Sequence, residues 1–248
     1  MVAKENSHKQ RKENEMKRIR RVLIIMLSLI FLAATFYMGK YLWWSFQTQQ
    51  DFRELKKEKT ISLKNLWKQN HDLIGWITIK GTKIDYPVMQ TKESPEFYLR
   101  RNFNKEYSLA GTPFLDAASD LTRTSNLLMY GHNMQDGTMF HDLLEYADEE
   151  FCRNHPTFTF ETVKYGLATY EVIAAFYTEV DTTDFRYYDY AGMSSQKDYE
   201  TYVREIKKLS CYETNLAVDG EQLLTLSTCS YHVQAKKGRF VVVAKKVQ

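Results

Sequence analysis

Cysteine is nearly absent from this chain of 248 residues: Cys152, Cys211 and Cys229 are the only three. An odd, sparse set argues against a disulfide framework and brings a free, reactive thiol into view. Proline is scarce too, with four residues, whereas tyrosine and phenylalanine number 17 and 14. That balance favours strands over a helical bundle. There is no phosphate-binding loop, dinucleotide fingerprint or HExxH pattern, and no internal repeat or low-complexity tract. Most of the chain also lacks a basic excess. Residues 1–21 hold eight of the 34 Lys and Arg and three of the 31 Asp and Glu, leaving 26 basic against 28 acidic residues beyond them. Nucleic-acid binding therefore has little support. At 44% hydrophobic and 26% charged, the composition is that of an ordinary folded chain, long enough for one good core.

The positive charge belongs to an N-terminal anchor. Val22 to Gly39 carries no charged residue, Lys40 interrupts, and YLWWSF continues the apolar run, which reaches the roughly 20 residues a bilayer span requires. Tyr41, Trp43 and Trp44 stand where an interfacial aromatic belt would lie, and Lys17, Arg18, Arg20 and Arg21 precede the span. A cleaved signal peptide would have a shorter core and small residues at its end. The expected organisation is a cytoplasmic basic tail (1–21), a single-pass transmembrane anchor (22–44), a helical linker (45–72) and an external folded domain (73–248).

From Leu73 onward the pattern is of short β-rich runs between turn residues. The candidates are 76–80, 83–89, 112–116, 125–131, 157–163, 168–180, 222–228 and 239–245. Regular short strands with few long helices predict an antiparallel sandwich or barrel. One helix interrupts them: Tyr199, Tyr202, Val203, Ile206 and Leu209 follow helical spacing, with Ser195 and Asp198 as a capping box. MFHDLLEY (139–146) is expected to be helical as well.

Cys229 ends the apolar run LLTLSTC, and Arg239 begins RFVVVAK. If residues 230–238 form a hairpin loop, these two face each other at its mouth, about 5 Å apart at Cα. A guanidinium beside a thiol favours the thiolate and can hold a developing oxyanion. Taken singly, Cys229 is as readily a small buried hydrophobe. A thiol nucleophile also needs a proton carrier. Among six histidines, His8 lies in the tail, His71 in the linker, His141 in the expected helix, and His155 before a proline. His132 follows a strand through Gly131, and His232 lies just past the cysteine. On physical grounds those two remain rivals. A metal site from Cys152, His155, His132 and His141 has weak ligand spacing.

These residues fall into a familiar pattern. TLSTC (225–229) resembles the nucleophile motif of the sortase family, LMYGHNM (128–134) its histidine segment, and GRFVVVAKK (238–246) its arginine strand. LIGWITIKGTKIDYPVMQ (73–90) and GTPFLD (111–116) resemble its first barrel strands. The resemblance covers residues 73–246 and implies a mainly β fold: a closed antiparallel or mixed sortase-type barrel. N-terminal helices would precede it and a helix would be inserted before the cysteine strand. It selects His132 over His232. The inserted helix and N-terminal helices resemble class B. The lid motif and C-terminal membrane segment of the class C pilin polymerases are not found. Some class B members carry an acidic residue directly after the cysteine, where this chain has Ser230.

The resemblance implies a cysteine transpeptidase without a cofactor or metal, on the outer face of a Gram-positive cell membrane. Cys229 would attack after Thr in the C-terminal sorting signal of a secreted surface protein, with His132 as acid and base and Arg239 at the oxyanion. Ser227, Thr228 and Tyr130 are expected to line the substrate cleft. The acceptor would be the amine of a peptidoglycan precursor or, for a pilin polymerase, a pilin lysine. A papain-like hydrolase and a non-catalytic surface-binding module are the rival readings; the first would require a helix-borne cysteine.

Overall fold

The computed structural model describes residues 2–181, 185–233 and 237–248. The chain divides into two compact units, residues 1–49 and 50–248. Helix α1 runs Val2–Ile61. Among the described residues, one helical stretch, Asn14–Ile61, is long and apolar enough to cross a membrane. Leu23, Ile24, Phe31 and Phe36 on it are all more than half exposed. A surface that is apolar on every side suits lipid rather than water, so this helix is a candidate membrane anchor.

The second unit takes in the end of α1 and α2 (Leu63–Gln69), followed by β1 (Leu73–Thr78), β2 (Asp85–Met89), β3 (Phe114–Leu115) and β4 (Asn126–Tyr130). After these come α3 (Glu149–Asn154), β5 (Thr157–Thr162), β6 (Gly166–Glu179), α4 (Gln196–Leu209), β7 (Leu223–Cys229) and β8 (Gly238–Lys246). The eight strands close a barrel in the order β1-β2-β3-β4-β7-β8-β6-β5. It is mixed, because β2–β3 and β4–β7 are parallel pairs. A parallel pair needs a long crossover, and β5, β6 and α4 supply it between β4 and β7. The segment expected as a helix at 139–146 forms a 3-10 helix, His141–Ala147, with no side-chain cap at its start. Helix α4 begins as its capping residues predict, with the Ser195 hydroxyl accepting from the Asp198 amide.

Strand alternation then sorts the side chains. Leu224 and Leu226 of β7 and Phe240, Val242 and Ala244 of β8 point into the barrel, where they meet Ile77, Met129 and Phe160. Leu128, Ile173, Val241 and Val243 point outward and are covered by Tyr187, Tyr199, Tyr202 and Ile206 from the insertion between β6 and β7. Two tyrosine hydroxyls pin that cover to β7: Tyr202 to Thr225 Oγ1 and Tyr187 to Ser227 Oγ, each at 2.7 Å. Thr225 donates its own proton to Asn126 Oδ1 at 2.8 Å, so Tyr202 is the donor to Thr225.

Removing that donor leaves a buried acceptor unpaired, which costs about 1–3 kcal/mol. Tyr202→Phe is therefore expected to destabilise the fold by about that amount, measured as a lower denaturation midpoint of the detergent-solubilised chain. An unchanged midpoint would remove the tyrosine clasp as a source of stability.

Candidate active site

On the outer face of β7, Thr225, Ser227 and Cys229 stand in a row, and the tyrosine cover reaches only the first two by hydrogen bond. Cys229 is the end of the strand and is partly exposed. Its partner across the β7–β8 ladder is Arg239, which is the pairing expected from a hairpin closed over 230–238; residues 234–236 of that loop lie outside the described residues. Gly238 is required at the start of β8, because a Cβ there would lie 2.5 Å from the Ser230 carbonyl oxygen. The Arg239 guanidinium donates to its neighbour's carbonyl, Gly238 O, at 2.9 Å.

His132 arrives from the other side of β7. The parallel ladder pairs Tyr130 with Ser227, and the Gly131 amide extends it with a bond to Ser227 O at 3.1 Å. Gly131 is packed against the Phe140 ring so closely that a Cβ would fall 2.6 Å from it. The chain then leaves the sheet at His132, whose Nε2 lies 2.9 Å from the Leu99 carbonyl oxygen. A carbonyl only accepts, so Nε2 carries a proton and Nδ1 is the nitrogen left to gain or lose one. Leu99 belongs to a 3-10 helix, Phe97–Arg100. Buried Tyr98 anchors that helix, its hydroxyl donating to Asp72 and accepting from Asn70, both at 2.8 Å.

Burial pushes the His132 ring below its ordinary value of 6.5, and the Arg100 and Arg239 cations act in the same direction against the bond to Leu99. Burial likewise pushes Tyr187 up to about 12, with Cys229 and Arg239 among the charges acting on it.

These groups line one cavity of about 390 Å³. Cys229, His132 and Arg239 share it with Tyr130, Ser227 and Thr228, all six named from the sequence. The hydroxyls of the last three are already engaged: Tyr130 donates to Asp116 Oδ2 at 3.0 Å, Ser227 pairs with Tyr187, and Thr228 donates to Gly131 O at 2.8 Å. Sequence reasoning missed Leu99, Asp116, Tyr187 and Tyr188 of the lining. The tyrosine-rich run at 187–190 was the one available signal. His232 is exposed, with its ring against Tyr177 at 4.8 Å between centroids and Nδ1 bonded to Ser230 Oγ. It is not part of the cavity lining. His141 pairs with Asn133, and His155 packs on Phe151. Among the described residues, no group of three or more His, Cys, Asp and Glu is placed to hold a metal ion.

A family model, the sortase domain, matches residues 77–247. The chain belongs to the sortase family. Sortase B of Listeria monocytogenes is 42% identical over 188 residues, 75% of this chain and 74% of that protein. Sortase B of Staphylococcus aureus is 32% identical over 186 residues, 74% of each. Among solved structures, the Staphylococcus aureus sortase B–substrate complex matches with a TM-score of 0.72 at 28% identity, covering 82% of this chain and 98% of that one. Clostridium perfringens sortase B matches with a TM-score of 0.66 at 33% identity, covering 75% and 100%. This sortase is therefore of class B, and it is a cysteine transpeptidase.

The lowered His132 value has a measurable sign. The unfolded imidazole binds a proton at higher pH than the folded one, so the contribution of His132 to stability is present above 6.5 and lost as pH falls through the folded midpoint. An NMR titration of ring-labelled histidine, assigned with His132→Gln, is expected to place the His132 midpoint below 6.5. A midpoint at or above that value would contradict the burial argument.

Proposed function

We propose that this sortase is anchored in the cell membrane by residues 22–44, with residues 1–21 cytoplasmic, 45–72 as a linker and the catalytic domain, 73–248, outside a Gram-positive cell. It cleaves the C-terminal sorting signal of a secreted surface protein after Thr and joins the new carboxyl end to the amine of a cell-wall precursor. The observation that carries this reading is the Cys229–Arg239 pair facing one another across β7 and β8, with His132 in the same cavity.

The geometry is compatible with each role that the family resemblance implies. Cys229, at an open strand end, gives its proton to His132 Nδ1 and attacks the threonine carbonyl carbon as the thiolate. As the tetrahedral intermediate forms, charge moves onto the former carbonyl oxygen, and Arg239 supplies the donors there. His132, held through Nε2 by Leu99 O, gives the Nδ1 proton to the departing amine when the C–N bond breaks. A thioester to Cys229 remains. The incoming amine loses its proton to Nδ1, attacks the thioester carbonyl, and returns the free thiolate. Water in place of the amine would give hydrolysis instead. Tyr130, Ser227 and Thr228 form the cleft wall. Their hydroxyls are engaged within the protein, so they shape the groove more than they hydrogen-bond substrate.

Tethering suits this chemistry, since confining enzyme, substrate and lipid-linked precursor to one leaflet raises their effective concentration. The test is a panel of peptides carrying NPxTN-like and LPxTG-like signals, offered to the full chain in detergent with amine acceptors and followed by mass spectrometry. Cleavage after Thr with amine capture is expected. Cys229→Ala should abolish it, His132→Ala should lower it by about 10² to 10⁴, and Arg239→Ala by about 10² to 10³. Cleavage without capture by any amine would favour a hydrolase, and full activity in Cys229→Ala would sink the assignment. Capture by a pilin lysine in preference to a wall-precursor amine would assign the chain to pilus assembly.

A further inference from the structure

The β4–β7 ladder stops short of the cysteine. Its last paired residues are Tyr130 and Ser227, and the next two contacts are the Gly131 amide to Ser227 O and the Thr228 hydroxyl to Gly131 O. Beyond them β4 has turned away, while β7 runs on to Cys229. A side chain takes the position that a β4 amide would otherwise fill: Asn133 Nδ2 donates to Cys229 O at 3.0 Å. Asn133 directly follows His132, so one residue ties the carbonyl of the cysteine to the backbone that carries the histidine.

Asn133 is itself held. Its Oδ1 lies 2.8 Å from His141 Nδ1. An amide oxygen only accepts, so His141 donates from Nδ1, and it does so whether neutral or protonated at its other nitrogen. The loop between them is closed to make this possible. Phe140 N–H donates to His132 O at 2.8 Å, Asn133 and Met139 form an isolated bridge, and the Met139 amide donates to Tyr86 Oη at 3.0 Å. Met139 sits at a positive φ of 58°, a conformation unusual for methionine that the loop closure enforces.

We infer that Asn133, oriented by His141, is a positioning residue for the transpeptidation: it sets Cys229 relative to His132 at the point where the sheet no longer does so. This rests on the reading of Cys229 as nucleophile. Neither Asn133 nor His141 lines the cavity, so neither needs to touch the substrate. Removing the bond frees the end of β7, and the thiol loses its alignment with the histidine and with the bound carbonyl. A misplacement of about 1 Å is enough to cost on the order of a hundredfold in rate.

The experiment measures kcat and KM of the full chain in detergent for the sorting-signal peptide it cleaves, together with the rate at which iodoacetamide alkylates Cys229, mapped by mass spectrometry. Asn133→Ala is expected to lower kcat by about ten- to a hundredfold, with KM and alkylation within about threefold, since a small reagent needs no alignment. Asn133→Asp, which keeps the size but turns an acceptor toward the Cys229 carbonyl, should lose at least as much. His141→Leu should lower kcat in the same way, and His141→Gln, which retains an N–H donor, should restore most of it. The double variant Asn133→Ala, His141→Leu should be no worse than Asn133→Ala alone, because both act through one bond. A kcat within twofold of the parent in Asn133→Ala, a loss confined to KM, or additive losses in the double variant would each overturn the inference. Cys229→Ala run in parallel separates the two readings: retained activity there would remove the nucleophile assignment and this inference with it.

Discussion

The parallel pairing of β4 with β7 is the constraint on which the rest of this structure depends. It places two segments almost a hundred residues apart side by side, with β8 against the far edge of β7. With period-2 alternation, one residue in two on each strand then faces outward, so Tyr130, Ser227, Cys229 and Arg239 come to one surface. Had β7 slipped by one residue, Cys229 would point into the barrel, while Leu224, Leu226 and Thr228 would face out. The interior leucines and valines, buried to within 2% of complete, make that slip prohibitive.

The outer face of a barrel is ordinarily solvated, yet here outward residues of β4, β6, β7 and β8 are buried under the insertion between β6 and β7. The cover is aromatic, which adds buried area and supplies hydroxyls to the Ser and Thr of β7. Thr225 and Ser227 are thereby satisfied rather than left as buried orphans. The same row continues uncovered at Cys229, so the thiol sits at the edge of a dry, tyrosine-lined wall. That edge explains the lowered value of His132: partial burial and two cations act on it together. An imidazole lowered by burial and a fixed cation in one small cavity suit a reaction in which protons move in both directions.

Much of this was legible in the residues. The strand runs were placed to within a few positions, because alternation and turn residues are local properties. The capping pair Ser195 and Asp198 marked the start of α4. The Cys229–Arg239 register followed from two apolar runs and a nine-residue loop. Other features were not legible. The 139–146 segment has the pattern of a helix but is a 3-10 helix, since its start is tied back to His132 O and lacks a cap. The hydroxyls of Ser227 and Thr228 look available in a motif written as letters, and both are engaged by groups far along the chain.

By itself the sequence determined the apolar N-terminal helix, the β character of the chain beyond Leu73, and the pairing of the last two strands. These depend on contiguous residues and short loops, where pattern and proximity coincide. Apart from the family resemblance, the residues left His132 and His232 as rivals for the cysteine, and where each lies is a tertiary property. His232 is two residues from Ser230 and close to Cys229 along the chain, yet it turns away to Tyr177, while His132 shares the cavity. The Leu99 carbonyl and the Asn133 amide belong to the same class. They act through hydrogen bonds spanning 33 and 96 positions, and no local pattern encodes a distance that only barrel closure creates.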